Sequence, residues 1–123
     1  RWLVDDCTKF VEREIRRGNH YDAIIMDPPS YGRGPSGETW KLEDSLCELA
    51  ALVAKVLDKP LFYLINSYTT GLQPTVIKNV LSLAMHGERG NIEAYELTLP
   101  VTDESKGKIE LPCGCSGLWK SAR

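Results

Sequence analysis

The chain has 123 residues and a formal net charge of −2, so it is long enough for one domain or part of one. The charge argues against broad, charge-driven binding of nucleic acid but not against a local basic patch. Apolar residues make up 42% of the chain, enough for a core, and the densest apolar run is far too short to cross a membrane. Four scattered cysteines match neither a disulfide framework nor a complete zinc site, which predicts free thiols, no metal and a reducing, cytoplasmic compartment.

The apolar pattern switches along the chain between short runs typical of strands and three- and four-residue spacings typical of helices. The predicted strands are, in chain order, residues 2–4, 23–26, 61–66, 92–100 and 108–117. The predicted helices are residues 7–17, 40–57 and 74–85. Asp6 and Thr39 can cap the first two helices at their N-termini. Gly18 can end the first helix, and Pro74 suits the first turn of the third.

Strands and helices that alternate in this way predict an α/β sheet that is mostly parallel. The last two strands follow each other without a helix, so they form a hairpin that places one antiparallel strand in the sheet. The sequence starts inside a predicted strand and without Met. We therefore expect residues 1–123 to be part of one domain of a longer protein.

The stretch YDAIIMDPPSYGRG runs a buried strand directly into two prolines, which places Asp27 at the carboxyl end of that strand. Open α/β sheets bind their ligands at this edge. Pro28 and Pro29 each fix their own φ, restrain the preceding residue and lack an N–H. The result is a stiff turn that presents a carboxylate and carbonyl oxygens, all of them acceptors. Such a rim suits an amino group on a planar base, although a turn that only ends the strand is the alternative.

Four stretches carry a resemblance to the class I S-adenosylmethionine-dependent methyltransferases, and within them to the bacterial rRNA large-subunit methyltransferase-like group. They are VDDCTKFVEREIRRG, YDAIIMDPPSYGRGPSGETWKLED, LINSYTTGL and LPCGCSGLW. The resemblance implies a Rossmann-like sheet with a C-terminal antiparallel hairpin. It also implies that the chain begins at the third strand of that sheet. The first two strands, the glycine-rich cofactor motif and an upstream RNA-binding region would then be missing.

The resemblance implies that Asp27, Pro28 and Pro29 lie beside both the methyl donor and the target base. In that place the acceptors hold the hydrogens of an amino group, direct its lone pair at the methyl group and ease proton loss. Ser30 and Tyr31 follow the motif as candidate substrate contacts, and Tyr31 can stack on a base.

Asp6 and Cys7 resemble the acidic and small pair that contacts the adenine of the cofactor in this family. Asp6 would accept a hydrogen bond from the adenine amino group, and Cys7 would pack on the ring. The alternative is that Asp6 is only a helix cap, and both roles can coexist.

Ser67 and Tyr68 end the next parallel strand, so we expect them beside Asp27 as further substrate contacts. Arg33 can meet a phosphate of the substrate. A polar loop and a solvated charge are the alternatives for these residues. No cysteine follows strand 61–66, and we expect Cys115 on the wrong side of the sheet, which disfavours cytosine-C5 methylation and favours methylation of nitrogen.

The function implied by the resemblance is methyl transfer from S-adenosylmethionine to a nucleobase of RNA, with rRNA as the expected substrate. One alternative is a non-catalytic fragment, or an RNA- or protein-interaction module, that keeps half of the fold. A protein glutamine methyltransferase ranks lower, because that group has Asn where Asp27 stands and an aromatic residue directly after the prolines. Open sheet edges predict that the isolated chain is marginally stable or self-associates.

Overall fold

The computed structural model describes residues 1–122. The helices among them are α1 (Cys7–Arg17), α2 (Leu42–Ala54) and α3 (Pro74–Ala84). The strands are β1 (Tyr21–Met26), β2 (Tyr31–Arg33), β3 (Thr39–Lys41), β4 (Leu57–Ser67), β5 (Gly90–Pro100) and β6 (Glu110–Ser121). A short 3-10 helix, Glu104–Lys106, lies between β5 and β6. The predicted α/β organisation is confirmed.

Four strands form one mixed sheet in the order β1-β4-β6-β5, and β2 and β3 form a separate two-stranded sheet. β1 runs parallel to β4, whereas β6 runs antiparallel to both β4 and β5. Met26 is level with Ile65 on β4, so the carboxyl ends of β1 and β4 lie at the same sheet edge. The predicted C-terminal hairpin is confirmed, and it continues this edge across β6 and β5.

The helices α2 and α3 cover the same face of the sheet. The Tyr63 hydroxyl on β4 donates to the Ala50 carbonyl of α2 at 3.3 Å. Gly117 on β6 faces α3 so closely that an added Cβ would lie 2.4 Å from a side-chain carbon of Ile77. α1 packs on α2. The largest fully buried apolar side chains lie between this helical layer and the sheet: Trp119, Tyr63, Leu42, Ile65, Ile77 and Leu81.

Local signals set both ends of α1 as predicted. The Asp6 side chain accepts a hydrogen bond from the Lys9 backbone N–H at 3.0 Å, which satisfies one of the free donors of the first turn. Gly18 follows the helix with φ of 68°, the left-handed conformation that glycine adopts without a Cβ clash. Both signals act within a few residues of chain, which is why the sequence displays them.

The predicted strand over residues 2–4 is wrong. This segment has no regular structure, and Trp2 and Val4 are 99% and 106% exposed. Within residues 1–122 no strand pairs with it, and a strand without a neighbour leaves its backbone donors and acceptors to water.

The second predicted helix starts too early and ends too late. Residues 39–41 form β3, which pairs with β2, so Thr39 is a strand residue and not the cap of α2. Lys41 occupies the N-cap position and makes no side-chain cap hydrogen bond. Leu57 already belongs to β4, which is longer than the predicted strand over 61–66. Strand pairing, of Thr39 with Arg33 and of Leu57 with Tyr21, thus overrides the helical spacing at both ends.

Candidate active site

The carboxylate of Asp27 is exposed directly after β1, at the carboxyl end of the parallel pair. Pro28 beside it is buried and Pro29 is exposed. The turn is thus anchored on one side and open on the other. An exposed acceptor on a backbone that offers no N–H at the next two positions is the arrangement that the sequence predicted.

Trp40 holds the outer part of this turn. Its indole Nε1–H donates to the Pro29 carbonyl at 2.8 Å, and the Leu42 N–H donates to the Ser30 carbonyl at 3.1 Å. The Pro29 carbonyl is therefore already hydrogen-bonded within the protein. The turn offers fewer free acceptors than the sequence predicted. The Asp27 carboxylate remains its exposed member. Trp40 is thus a residue that positions the turn.

A hydrogen bond joins the turn to the loop after β4. The Thr69 hydroxyl donates to the Ser30 hydroxyl oxygen at 2.7 Å, and the Thr69 N–H donates to Ser67 Oγ at 3.2 Å. Residues 67–69 therefore lie beside the Asp-Pro-Pro turn, as the parallel pairing predicted. Ser67 is only 2% exposed, which fits its role in bracing this loop better than contact with a substrate.

The aromatic and basic candidates lie on exposed surface near the turn. Tyr31 and Tyr68 are 53% and 59% exposed. The Arg33 Nε–H donates to the Tyr31 hydroxyl at 3.1 Å, so these two side chains lie together on one face of β2. The rings of Tyr31 and Tyr68 are therefore available for stacking. Arg33 is also exposed, as contact with a phosphate requires.

Asp6 and Cys7 stand apart from this group at the start of α1. Both are exposed. The Tyr21 hydroxyl at the start of β1 donates to Glu14 of α1 at 2.6 Å, which ties the last turns of α1 to the start of β1. Among residues 1–122 no hydrogen bond joins Asp6 or Cys7 to the Asp-Pro-Pro turn.

Asp5 is engaged in a different contact. Its carboxylate accepts from the Arg13 guanidinium, and this hydrogen bond lowers the pKa of Asp5 from its ordinary value. The Asp5 carboxylate is therefore already engaged by a residue of α1. Asp6 uses one carboxylate oxygen for its cap, and its exposed carboxylate is the better candidate for a ligand.

Solved structures of methyltransferases share this architecture. The S-adenosylmethionine-dependent methyltransferase from Agrobacterium tumefaciens is 29% identical with a TM-score of 0.87, and the match covers 98% of this chain and 39% of that one. The chain has the fold of the S-adenosylmethionine-dependent methyltransferases. No protein-family model and no curated protein matches its sequence.

Two further solved structures with this fold are complexes with SAM or SAH. SMU.776, in complex with SAH, is 17% identical with a TM-score of 0.68, over 94% of this chain and 30% of that one. M1.HpyAVI, in complex with SAM, is 15% identical with a TM-score of 0.57, over 96% of this chain and 52% of that one. These two likenesses concern the fold alone. The chain spans 39%, 30% and 52% of the three neighbours.

Cys115 lies where the sequence did not place it in this methyltransferase fold. It is opposite Ser67, at the same sheet edge as the Asp-Pro-Pro turn. The expectation that it faces the other edge is wrong, because β6 starts beyond the end of β4 and crosses the edge only after several residues. The thiol is nevertheless 2% exposed and donates to the Leu72 carbonyl at 3.4 Å. Burial, and then the charge of Glu96, raise the pKa of Cys115, so it is a poor thiolate.

A cleft of about 580 Å³ opens beside Cys115. The loop over residues 68–74, Glu96 on β5, and residues 112–115 of β6 line it. Thr69 belongs both to this lining and to the contact with Ser30, so the cleft adjoins the Asp-Pro-Pro turn. Glu96 alternates in phase with Ile92 and Ala94, which places it on their face of β5, and its own side chain is exposed.

The described part of the chain shows neither a candidate metal site nor a candidate membrane-spanning helix. Residues 1–122 contain no group of three or more His, Cys, Asp or Glu side chains placed to hold a metal ion. None of their helices is long and apolar enough to cross a membrane.

Proposed function

We propose that the chain is the carboxyl-terminal portion of a methyltransferase catalytic domain that transfers a methyl group from S-adenosylmethionine to a nucleobase of RNA, with rRNA as the substrate. The observation that carries this proposal is the exposed Asp27 carboxylate at the carboxyl end of β1, in a fold shared with S-adenosylmethionine-dependent methyltransferases. The four free cysteines agree with a reducing, cytoplasmic compartment.

The described residues fit part of the cofactor. The exposed carboxylate of Asp6 can accept from the adenine amino group while it caps α1, and the exposed Cys7 can pack against the ring. Asp27 is exposed directly after the carboxyl end of β1. Bound S-adenosylmethionine supplies an electrophilic methyl group, and these residues bind and orient it.

Asp27 acts on the acceptor. Its carboxylate accepts a hydrogen bond from the amino group of the base, fixes the direction of the nitrogen lone pair and attracts the proton that this nitrogen loses on methylation. Pro28 and Pro29 keep the backbone stiff, and Trp40 and Thr69 hold the turn from both sides. The protein thereby contributes positioning and electrostatics at the acceptor nitrogen.

Nitrogen is a better acceptor here than ring carbon. Methylation of cytosine C5 requires a thiolate that adds to the ring, and the cysteine at this edge, Cys115, is buried with a raised pKa. An amino group needs no covalent help, because its lone pair attacks directly once it is oriented. Arg33 and the exposed rings of Tyr31 and Tyr68 are proposed to hold the RNA strand through a phosphate and stacked bases.

A second candidate is a non-catalytic binding module. Ile25 on β1 is 68% exposed, and β1 is one of the two edge strands of the described four-stranded sheet. An open edge with apolar side chains pairs readily with another chain, which favours self-association or docking. A protein glutamine methyltransferase is disfavoured by the Asp at position 27 and by Ser30, where that group has Asn and an aromatic residue.

Calorimetric titration of S-adenosylmethionine and S-adenosylhomocysteine into the chain tests the proposal. Asp6→Asn keeps a good N-cap but removes the charge, whereas Asp6→Ala removes both. We expect measurable binding that both variants weaken several-fold, and we expect only Asp6→Ala to lower the melting temperature. Glu12→Gln, an exposed charge in the middle of α1, is the matched control. Binding that neither Asp6 variant changes would overturn the assignment of Asp6, and no binding at millimolar ligand would favour the non-catalytic module.

A further inference from the structure

The lining of the 580 Å³ cleft has a marked chemical bias. Glu96 is its one formally charged side chain at neutral pH, and no Lys, Arg or His belongs to the lining. Tyr68, Thr69 and Thr70, from the loop after β4, also belong to the lining. Such a lining repels phosphate and offers a carboxylate acceptor together with an aromatic surface.

Strand register places Glu96 on the cleft side of the sheet. Glu96 is opposite Cys115, and Cys115 is opposite Ser67, so Glu96 lies two strands away from the end of β4. Two strand spacings are roughly 10 Å, wide enough for a planar ring between the carboxylate and the loop after β4. Burial first, and then the nearby Glu96 charge, raise the pKa of Cys115, in keeping with this placement.

A close backbone contact at Gly114 leaves no room for a side chain in this part of the cleft lining. Gly114 has φ of 109°, and an added Cβ would lie 2.1 Å from the Ser67 carbonyl oxygen. The register of β5 and β6 shifts next to it, between Leu97 and Thr98, so the strand is bulged there. Bulges of this kind often re-aim side chains beside binding sites. Here the bulge lies between Glu96 and the loop that carries Tyr68.

We propose that this cleft binds an amino-bearing nucleobase of the RNA strand and rejects uracil, with Glu96 as the acceptor and Tyr68 as the stacking surface. The proposal rests on the proposed function and adds a base preference to it. The exocyclic amino groups of cytosine, adenine and guanine can donate to a carboxylate, whereas the corresponding edge of uracil presents a carbonyl oxygen. A carboxylate therefore accepts from the exocyclic amino groups, whereas uracil offers one ring N–H flanked by two carbonyl oxygens that the carboxylate repels.

The cleft is physically joined to the proposed reaction centre. Thr69 lines the cleft and donates to Ser30, which directly follows Pro29 in the turn. A base held by Glu96 and Tyr68 is thus positioned against the loop that braces the Asp-Pro-Pro turn. A preference at this cleft would influence which nucleotide is presented to Asp27.

Titration of cytidine, adenosine and uridine into the isotopically labelled chain, without any methyl donor, tests the proposal. We expect chemical-shift changes at the amides of residues 69–73 and 113–115, and cytidine and adenosine binding at least fivefold tighter than uridine. Glu96→Gln should bring the three affinities within about twofold, because an amide both donates and accepts. Glu93→Gln, on the same strand but on the opposite face, is the matched control and should change nothing.

Several results would overturn the proposal. They are equal binding of uridine and cytidine by the unaltered chain, shift changes remote from the cleft, and an unchanged preference in Glu96→Gln with a native-like spectrum. The outcome is separable from that of the proposed function, because no cofactor is present. Base selectivity without S-adenosylmethionine binding would leave the cleft assignment intact and remove the catalytic one. S-adenosylmethionine binding without base selectivity would remove the cleft assignment and leave the proposed function intact.

Discussion

The Thr69 hydroxyl donates a 2.7 Å hydrogen bond to the Ser30 hydroxyl oxygen, 39 positions earlier in the chain. This contact joins the loops that follow two neighbouring parallel strands, β1 and β4. Ser30 belongs to the proposed catalytic turn and Thr69 to the cleft, so a single pair of hydroxyl groups connects the two parts of the candidate site. Its removal should therefore affect stability and activity together.

Thr69→Val removes this donor and keeps the shape of the side chain. Ser30 Oγ then loses a partner at a half-buried position, and we expect a loss of about 1 kcal/mol in the free energy of unfolding. Urea denaturation measures it. Thr70→Val, at an exposed neighbouring position, is the control and should change the stability by less than about 0.5 kcal/mol. Equal effects of the two variants would show that the Ser30 contact contributes nothing.

Trp40→Phe removes the indole N–H that bonds the Pro29 carbonyl while it keeps most of the apolar packing. We expect a loss of about 1 kcal/mol in stability, and a lower kcat with little change in KM, because the turn loosens and Asp27 is held less well. Thermal melts and methyl-transfer kinetics measure the two effects. Trp2→Phe is the control, since Trp2 is 99% exposed. A variant that changes KM alone would contradict a positioning role.

The sequence predicted well the features that depend on neighbouring residues. Asp6 and Gly18 bound α1 because a cap and a left-handed residue act locally. Asp27 lies at a strand end because two prolines end any strand. The parallel pairing of β1 and β4 then places residues 67–69 beside the turn. These parts of the site follow from short-range chemistry and one topological rule.

Features that depend on strand pairing and register do not follow from the apolar pattern. Thr39 became a strand residue because β2 pairs with β3, and residues 2–4 found no partner strand. Cys115 was misplaced because only the register shows how far β6 extends past the end of β4. The hydrogen bond from Trp40 to the Pro29 carbonyl spans 11 positions, and no residue spacing in the sequence predicts it. Register and long-range contacts are decided by packing, which a pattern of apolar residues does not encode.

Glu14 gives the chain an acid-sensitive element outside the candidate site. It is 5% exposed, and its carboxylate accepts from the Tyr21 hydroxyl at 2.6 Å and from Asn19 at 3.0 Å. The donors, Tyr21 first and Asn19 next, lower the pKa of Glu14 from its ordinary value. A lowered folded-state pKa means that the stabilisation is present above the ordinary carboxyl range and is lost as the pH falls through the folded-state value.

We therefore expect the stability of the chain to fall on acidification below about pH 4.5, the region in which an unfolded glutamate titrates. Glu14→Gln should be less stable than the unaltered chain at neutral pH and should lose less on acidification. Urea denaturation at pH 7, 5 and 3.5 measures this. Glu12→Gln, an exposed position on the same helix, should keep the full acid response. Identical pH profiles for Glu14→Gln and the unaltered chain would refute the role of this cluster.

Asp27→Asn separates the charge of the proposed catalytic carboxylate from its size. Asp27 is exposed, so we expect the fold and melting temperature to stay nearly unchanged. Methyl transfer to rRNA should fall by about 10²- to 10⁴-fold, the usual contribution of a group that accepts a proton in the transition state. The assay follows labelled methyl from S-adenosylmethionine in the protein that contains this domain.

Asp22→Asn is the matched control, because Asp22 is an exposed aspartate near the opposite end of the same strand. It tests whether the loss of any negative charge from β1 suffices to reduce the rate. Full activity in Asp22→Asn with loss in Asp27→Asn would locate the effect at the carboxyl end of the strand. Equal activity of both variants would mean that Asp27 only ends a strand, and the proton would then have to leave through another group or through water.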